Sequence, residues 1–108
     1  MDATAERRKG RRVPVIRDVS VELDSPRVTF QGKIFDLCAR GAFINVVAGL
    51  HAGAMIEVAF DLPTKEVVRT AASIRYVLPG LGMGVEFVEM GEEESLAIER
   101  FIASYLKG

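Results

Sequence analysis

Five basic side chains crowd the first twelve residues: Arg7, Arg8, Lys9, Arg11 and Arg12. Arg8 and Arg12 are four apart, directly before the apolar stretch that opens at Val13. A guanidinium is planar, permanently charged and presents a fork of donors, so a cluster of them suits phosphate oxygens. A second group of interest is Asp36-Leu37-Cys38-Ala39-Arg40-Gly41. Residues 1–12 hold five basic side chains against two acidic ones, a net of +3. The whole chain is −1 at pH 7, so the remaining 96 residues carry −4. A basic arm on a mildly acidic body points to an anionic partner for the arm, and the plain alternative is a solvated tail.

Those groups need a scaffold, and the chain is long enough for one. Its 108 residues suffice for one compact domain and not for two. At 49% apolar and 27% charged, the composition is that of an ordinary globular chain and not of a disordered one. No apolar run approaches the ~20 residues of a membrane-spanning helix, and the N-terminus lacks a secretory h-region. A small, soluble, cytoplasmic domain is expected.

Alternation with a period of two marks the strands. Val13, Val15, Val19, Val21 and Leu23 alternate with Pro14, Asp18, Ser20 and Glu22, with Ile16 and Arg17 breaking the two rows. Asp24-Ser25-Pro26 reads as a turn. The second strand is expected over Val28–Asp36, with Val28, Phe30 and Ile34 on one face and Gly32 as a bulge or close backbone approach. Further strands are expected over Gly41–Val47, Ala54–Leu62, Glu66–Leu78 and Met83–Met90. In the fifth, Val68, Ala72, Ile74, Tyr76 and Leu78 form the apolar row.

The last segment changes period. Ile98, Phe101, Ile102 and Tyr105 lie at i, i+3, i+4 and i+7, one stripe of a helix expected over about Glu92–Leu106. Glu92, Glu93 and Glu94 suit the positive end of its dipole and Lys107 the negative end. Six short strands and one amphipathic helix indicate an all-β dominated fold, an antiparallel barrel or sandwich with a C-terminal α-helix. Closure into a barrel would remove exposed edges.

In both motifs and their strand context the chain resembles the PilZ domain, the cyclic di-GMP receptor module of bacteria. That family carries R-x-x-x-R in an N-terminal arm and [D/N]-x-S-x-x-G after the second strand. Here Arg8 and Arg12 match the first, and Asp36, Cys38 and Gly41 match the second with Cys38 standing where the family has serine. The continuation Gly41-Ala42-Phe43-Ile44 and the stretch Gly82–Phe87 before a terminal helix are also similar. The resemblance implies a six-stranded antiparallel split barrel over 13–90, a flexible ligand-binding arm over 1–12 and a C-terminal helix over 91–108. It also implies ligand contacts from Arg8 and Arg12, acceptance of guanine N–H bonds by Asp36, a contact at position 38 and a close approach at Gly41. An arginine at position 7 is similar to members that take up an intercalated ligand dimer.

The thiol of Cys38 is a weaker hydrogen-bond partner than a hydroxyl, which lowers the expected affinity without abolishing binding. Tyr76 lies near where relatives have an aromatic beside the binding face. Base stacking is one reading there, and an inward-facing barrel aromatic is the stronger one. His51 is expected on the surface, and Met83 and Met90 are read as core or edge fillers.

One cysteine and one histidine build neither a disulfide framework nor a metal cluster. Neither a nucleophile's base–orienter set nor paired carboxylates nor a phosphate loop is evident, so no enzyme and no cofactor beyond the ligand are expected. The functional expectation is a cyclic di-GMP receptor whose arm orders on binding and signals to an unidentified downstream protein in motility, adhesion or biofilm control. The alternative is a protein-interaction adaptor of the same fold with weak or no nucleotide binding. An aromatic content of 7% without tryptophan counts against a nucleic-acid binder.

Overall fold

The computed structural model describes residues 11–24, 27–46 and 49–107. The apolar alternation produces six strands: β1 (Val13–Asp24), β2 (Arg27–Cys38), β3 (Gly41–Val46), β4 (Met55–Asp61), β5 (Val67–Leu78) and β6 (Gly82–Val88). Helix α1 (Glu92–Lys107) follows. All strand pairs are antiparallel, and the order β1-β2-β3-β6-β5-β4 closes on itself as a barrel. Each expected strand is present, with ends displaced by one or two residues. Arg7, Arg8 and the turn residues Ser25 and Pro26 lie outside the described residues.

The inward row of β1 runs as expected, with Val13, Val15, Val19 and Val21 buried. Arg17 interrupts that row because its side chain belongs to the rim. Its guanidinium donates to the carbonyls of Asp61 (3.0 Å) and Leu62 (3.4 Å), which ties β1 to the end of β4. Ile34, Ile44, Val58, Val68 and Ile74 meet in the centre and are almost wholly shielded from water. Thr70 is the one buried polar side chain among the described residues, and its hydroxyl donates to the carbonyls of Ala71 and Val88.

Register shifts occur at three places, between Pro14 and Arg17 in β1 and within β2 and β5, and the latter two re-aim side chains. In β2 the extra residue is Phe35, between the pairs Ile34–Ile44 and Asp36–Phe43. Phe35 is consequently exposed, Asp36 turns to the outer wall, and Leu37 takes the inward position. Gly32 is not the bulge: it is a close approach, where a β-carbon would lie 2.3 Å from the Asn45 carbonyl. In β5 the extra residue is Arg75, between Ile74–Val85 and Tyr76–Gly84. Tyr76 therefore lies on the outer wall, 42% exposed, and not inside the barrel as its spacing from Ile74 implied. Leu78 is likewise exposed.

Helix α1 docks through Ala97, Ile98, Phe101 and Ile102. Tyr105, the fourth member of the expected stripe, is instead half exposed and leans on Phe101, with ring centroids 6.5 Å apart. Arg100 pairs with Glu66 at 2.9 Å and anchors the helix to the segment entering β5. Truncating Ile98 to alanine should therefore cost about 2–5 kcal/mol in urea denaturation, whereas Tyr105→Ala should cost less than about 1 kcal/mol.

Candidate functional site

Because core side chains fill the barrel interior, the outer wall is the surface left to chemistry. The cross-strand register sets two neighbouring rows on it. One row is Asp36, Phe43, Gly84 and Tyr76, and the next is Cys38, Gly41, Glu86 and Ser73. Glycine stands near the middle of each row. At Gly41 a β-carbon would sit 2.0 Å from the Val85 carbonyl, so β3 and β6 approach there as only glycine allows. At Gly84 the Tyr76 ring occupies the space a side chain would take, its Cε1 2.3 Å from the β-carbon position. The ring thus lies against the wall, 6.4 Å from that of Phe43.

A shallow recess of about 160 Å³ opens beside this wall. It is lined by Arg12, Cys38, Arg40, Gly41, Arg75, Tyr76, Gly84, Val85 and Glu86. Arg12, at the foot of β1, donates from Nη1 to Asp36 Oδ1 at 2.6 Å. That hydrogen bond is the chief cause holding the Arg12 guanidinium above its ordinary pKa; partial burial opposes it, and the charge of Asp36 supports it. The β2–β3 hairpin tip is pinned where the Arg40 carbonyl accepts from Phe87 N–H at 2.7 Å. Across β5 and β6, Arg75 Nη1 lies 3.4 Å from Glu86 Oε1. Three arginines line the recess against Glu86 in the same lining and Asp36 bonded to Arg12, a surplus of positive charge suited to an anion. The Cys38 thiol is buried at the same recess.

The basic motif and the Asp36–Gly41 motif, 24 residues apart at Arg12 and Asp36, are therefore in direct contact. This geometry and the sequence match agree on a family. The PilZ domain family matches residues 6–104. The chain belongs to the PilZ domain family. Solved PilZ-like structures share its fold. The Bacillus subtilis inhibitor of motility MotI/DgrA is 16% identical with a TM-score of 0.72 over 89% of this chain and 49% of its own. YcgR of Escherichia coli, solved in complex with c-di-GMP, is 14% identical with a TM-score of 0.75 over 90% of this chain and 45% of its own. The PilZ domain of CeSA from a cellulose-synthesizing bacterium is 18% identical with a TM-score of 0.66, over 89% of this chain and 98% of its own. The chain spans about half the length of the MotI and YcgR chains. No protein of curated function matches at the sequence level.

Of the expected PilZ site residues, Arg12, Cys38 and Gly41 line the recess and Asp36 is bonded to Arg12, while Arg7 and Arg8 lie outside the described residues. Arg40, Arg75 and Glu86 join them; no motif marks Arg75, and Glu86 falls in the family-like stretch Gly82–Phe87 without a role assigned to it there. The alternation put Arg75 on the polar face of its strand, but nothing in the spacing revealed what it would meet. Among the described residues no group of three or more His, Cys, Asp or Glu could hold a metal ion, and no helix is long and apolar enough to cross a membrane. A larger recess of about 290 Å³ beside the β5–β6 turn has no charged side chain in its lining.

The tight β3–β6 contact gives the wall a direct test. Gly41→Ala should lower stability by about 1–3 kcal/mol in chemical denaturation, since the clash is with backbone and not with a movable side chain.

Proposed function

We propose that this PilZ chain is a cyclic di-GMP receptor that binds its ligand on the outer barrel wall, beneath a basic arm formed by residues 1–12. The observation that carries the reading is the contact between Arg12 and Asp36 at the edge of a recess that also holds Cys38 and Gly41. YcgR, of the same fold, is a protein solved with c-di-GMP, which supports the same ligand class here. The chemistry agrees, since two phosphates call for guanidinium forks and guanine edges call for carboxylate acceptors.

In this reading Arg7, Arg8 and Arg12 engage phosphate oxygens or guanine faces, and Asp36 accepts guanine N–H bonds. Position 38 supplies a weak contact, and Gly41 keeps the wall flat enough for close approach. Tyr76, exposed beside the recess, offers a ring face to a base. Residues 1–12 act as the arm, 13–90 as the barrel and 91–108 as the helical cap of one domain. Ordering of the arm on binding would present a changed surface to a downstream protein, in motility or biofilm control. The name of MotI, an inhibitor of motility, supports motility as the first process to test.

Calorimetric titration of cyclic di-GMP is the deciding experiment. Wild type should bind saturably, and Arg12→Ala should bind about 10–100-fold more weakly, the worth of a hydrogen bond to a charged group. An absence of saturable binding at micromolar ligand would favour the adaptor reading instead. In the same assay Cys38→Ser should raise affinity several-fold, by about 1 kcal/mol. Two ligands per chain are expected if Arg7 supports an intercalated dimer, and a ratio of one would remove that role.

A further inference from the structure

We infer that Glu86 reads the hydrogen-bonding edge of a guanine seated in the wall recess, with Arg75 as the residue that positions its carboxylate. The inference rests on the cyclic di-GMP reading and names the residue that selects the base. Glu86 sits on β6 opposite both Gly41 and Ser73, so its side chain leaves the wall beside a stretch of bare backbone. It lines the recess and is 49% exposed, which leaves it accessible to a ligand. Arg75 meets Oε1 alone, and among the described residues Oε2 makes no hydrogen bond.

A carboxylate in an anion site needs a reason, because it repels the phosphates that the guanidiniums attract. Ionised, it is an acceptor and nothing else, so the ligand group facing it must donate. Guanine provides two adjacent donors, N1–H and the exocyclic N2–H, spaced to meet the two oxygens of one carboxylate. Adenine presents an acceptor at N1, and that lone pair would face the carboxylate lone pairs. Glu86 therefore favours guanine by attraction and disfavours adenine by repulsion, the two halves of specificity.

Arg75 makes this tolerable. As the bulged residue of β5 it stands on the outer wall together with Tyr76, where strict alternation would have supplied one side chain and not two. Its guanidinium offsets the charge of Glu86, so the recess keeps its positive surplus while holding one carboxylate in reach of a base. The Tyr76 ring, packed over Gly84, forms a side of the same recess.

The 108-residue chain is titrated with cyclic di-GMP and with cyclic di-AMP, as wild type, Glu86→Gln, Arg75→Gln and Arg12→Ala. Glutamine keeps the shape but can donate as well as accept. Glu86→Gln should weaken cyclic di-GMP binding about tenfold and narrow the preference over cyclic di-AMP by at least that factor, as for a bidentate base contact. Arg75→Gln should shift the preference in the same direction by a smaller factor, because it loosens the carboxylate without removing it. A merely structural cross-strand pair would alter thermal stability and leave the base preference untouched. An unchanged preference in Glu86→Gln, in a protein whose cyclic di-GMP binding still depends on Arg12, overturns the Glu86 assignment alone. If wild type binds no cyclic di-GMP, the receptor reading falls; if Arg12→Ala binds as well as wild type, the placement of the ligand on this wall falls; either result takes the Glu86 assignment with it.

Discussion

A β-strand offers only every second residue to one face of a sheet, and the outer wall of this barrel depends on two places where that rule is broken. The bulge at Phe35 turns Asp36 outward, within reach of Arg12. The bulge at Arg75 turns Tyr76 outward over Gly84 and leaves Arg75 beside it, next to Glu86. Both interruptions flank a single cross-strand row, Asp36–Phe43–Gly84–Tyr76. Without them Asp36 and Tyr76 would point into a core that has no room for a carboxylate and no partner for it. Bulges occur often beside functional sites because they re-aim side chains at little cost to the ladder.

The interior of the barrel is closed to ligands for the same reason that it is stable. Branched aliphatic side chains from all six strands fill it, and α1 contributes Ile98, Phe101 and Ile102 to that packing. A PilZ barrel of this size thus has its wall to offer, and a wall binds a flat ligand only where side chains are missing. Gly41 leaves backbone without a side chain there, and Gly84 lets the Tyr76 ring lie flat against the wall. Each is demanded by packing as well, Gly41 by the Val85 carbonyl and Gly84 by the Tyr76 ring. The requirements of the fold and of the proposed site coincide at these positions.

Charge is arranged so that it can be exchanged. The Arg12–Asp36 and Arg75–Glu86 pairs are both partly exposed, and solvent-accessible ion pairs contribute little, about 0–1 kcal/mol each. In the proposed site, trading such a pair for phosphate oxygens or a guanine edge would cost the protein almost nothing in stability.

Much of this was legible from the residues. Alternating valines defined β1, the i, i+3, i+4 spacing defined the docking face of α1, and the arginine and aspartate motifs carried the family resemblance, because local periodicity and short motifs are properties of neighbours in the chain. The orientation of Tyr76 was not legible, since Ile74 and Tyr76 are two apart and alternation alone sends both inward. Nor was the partnership of Arg75 with Glu86 or of Arg12 with Asp36, residues 11 and 24 apart in the chain. A bulge is decided by how two strands register across the barrel, and a recess by which rows that register aligns. Period and composition therefore determined the elements and the candidate chemistry, while closure of the barrel alone decided which side chains share a wall.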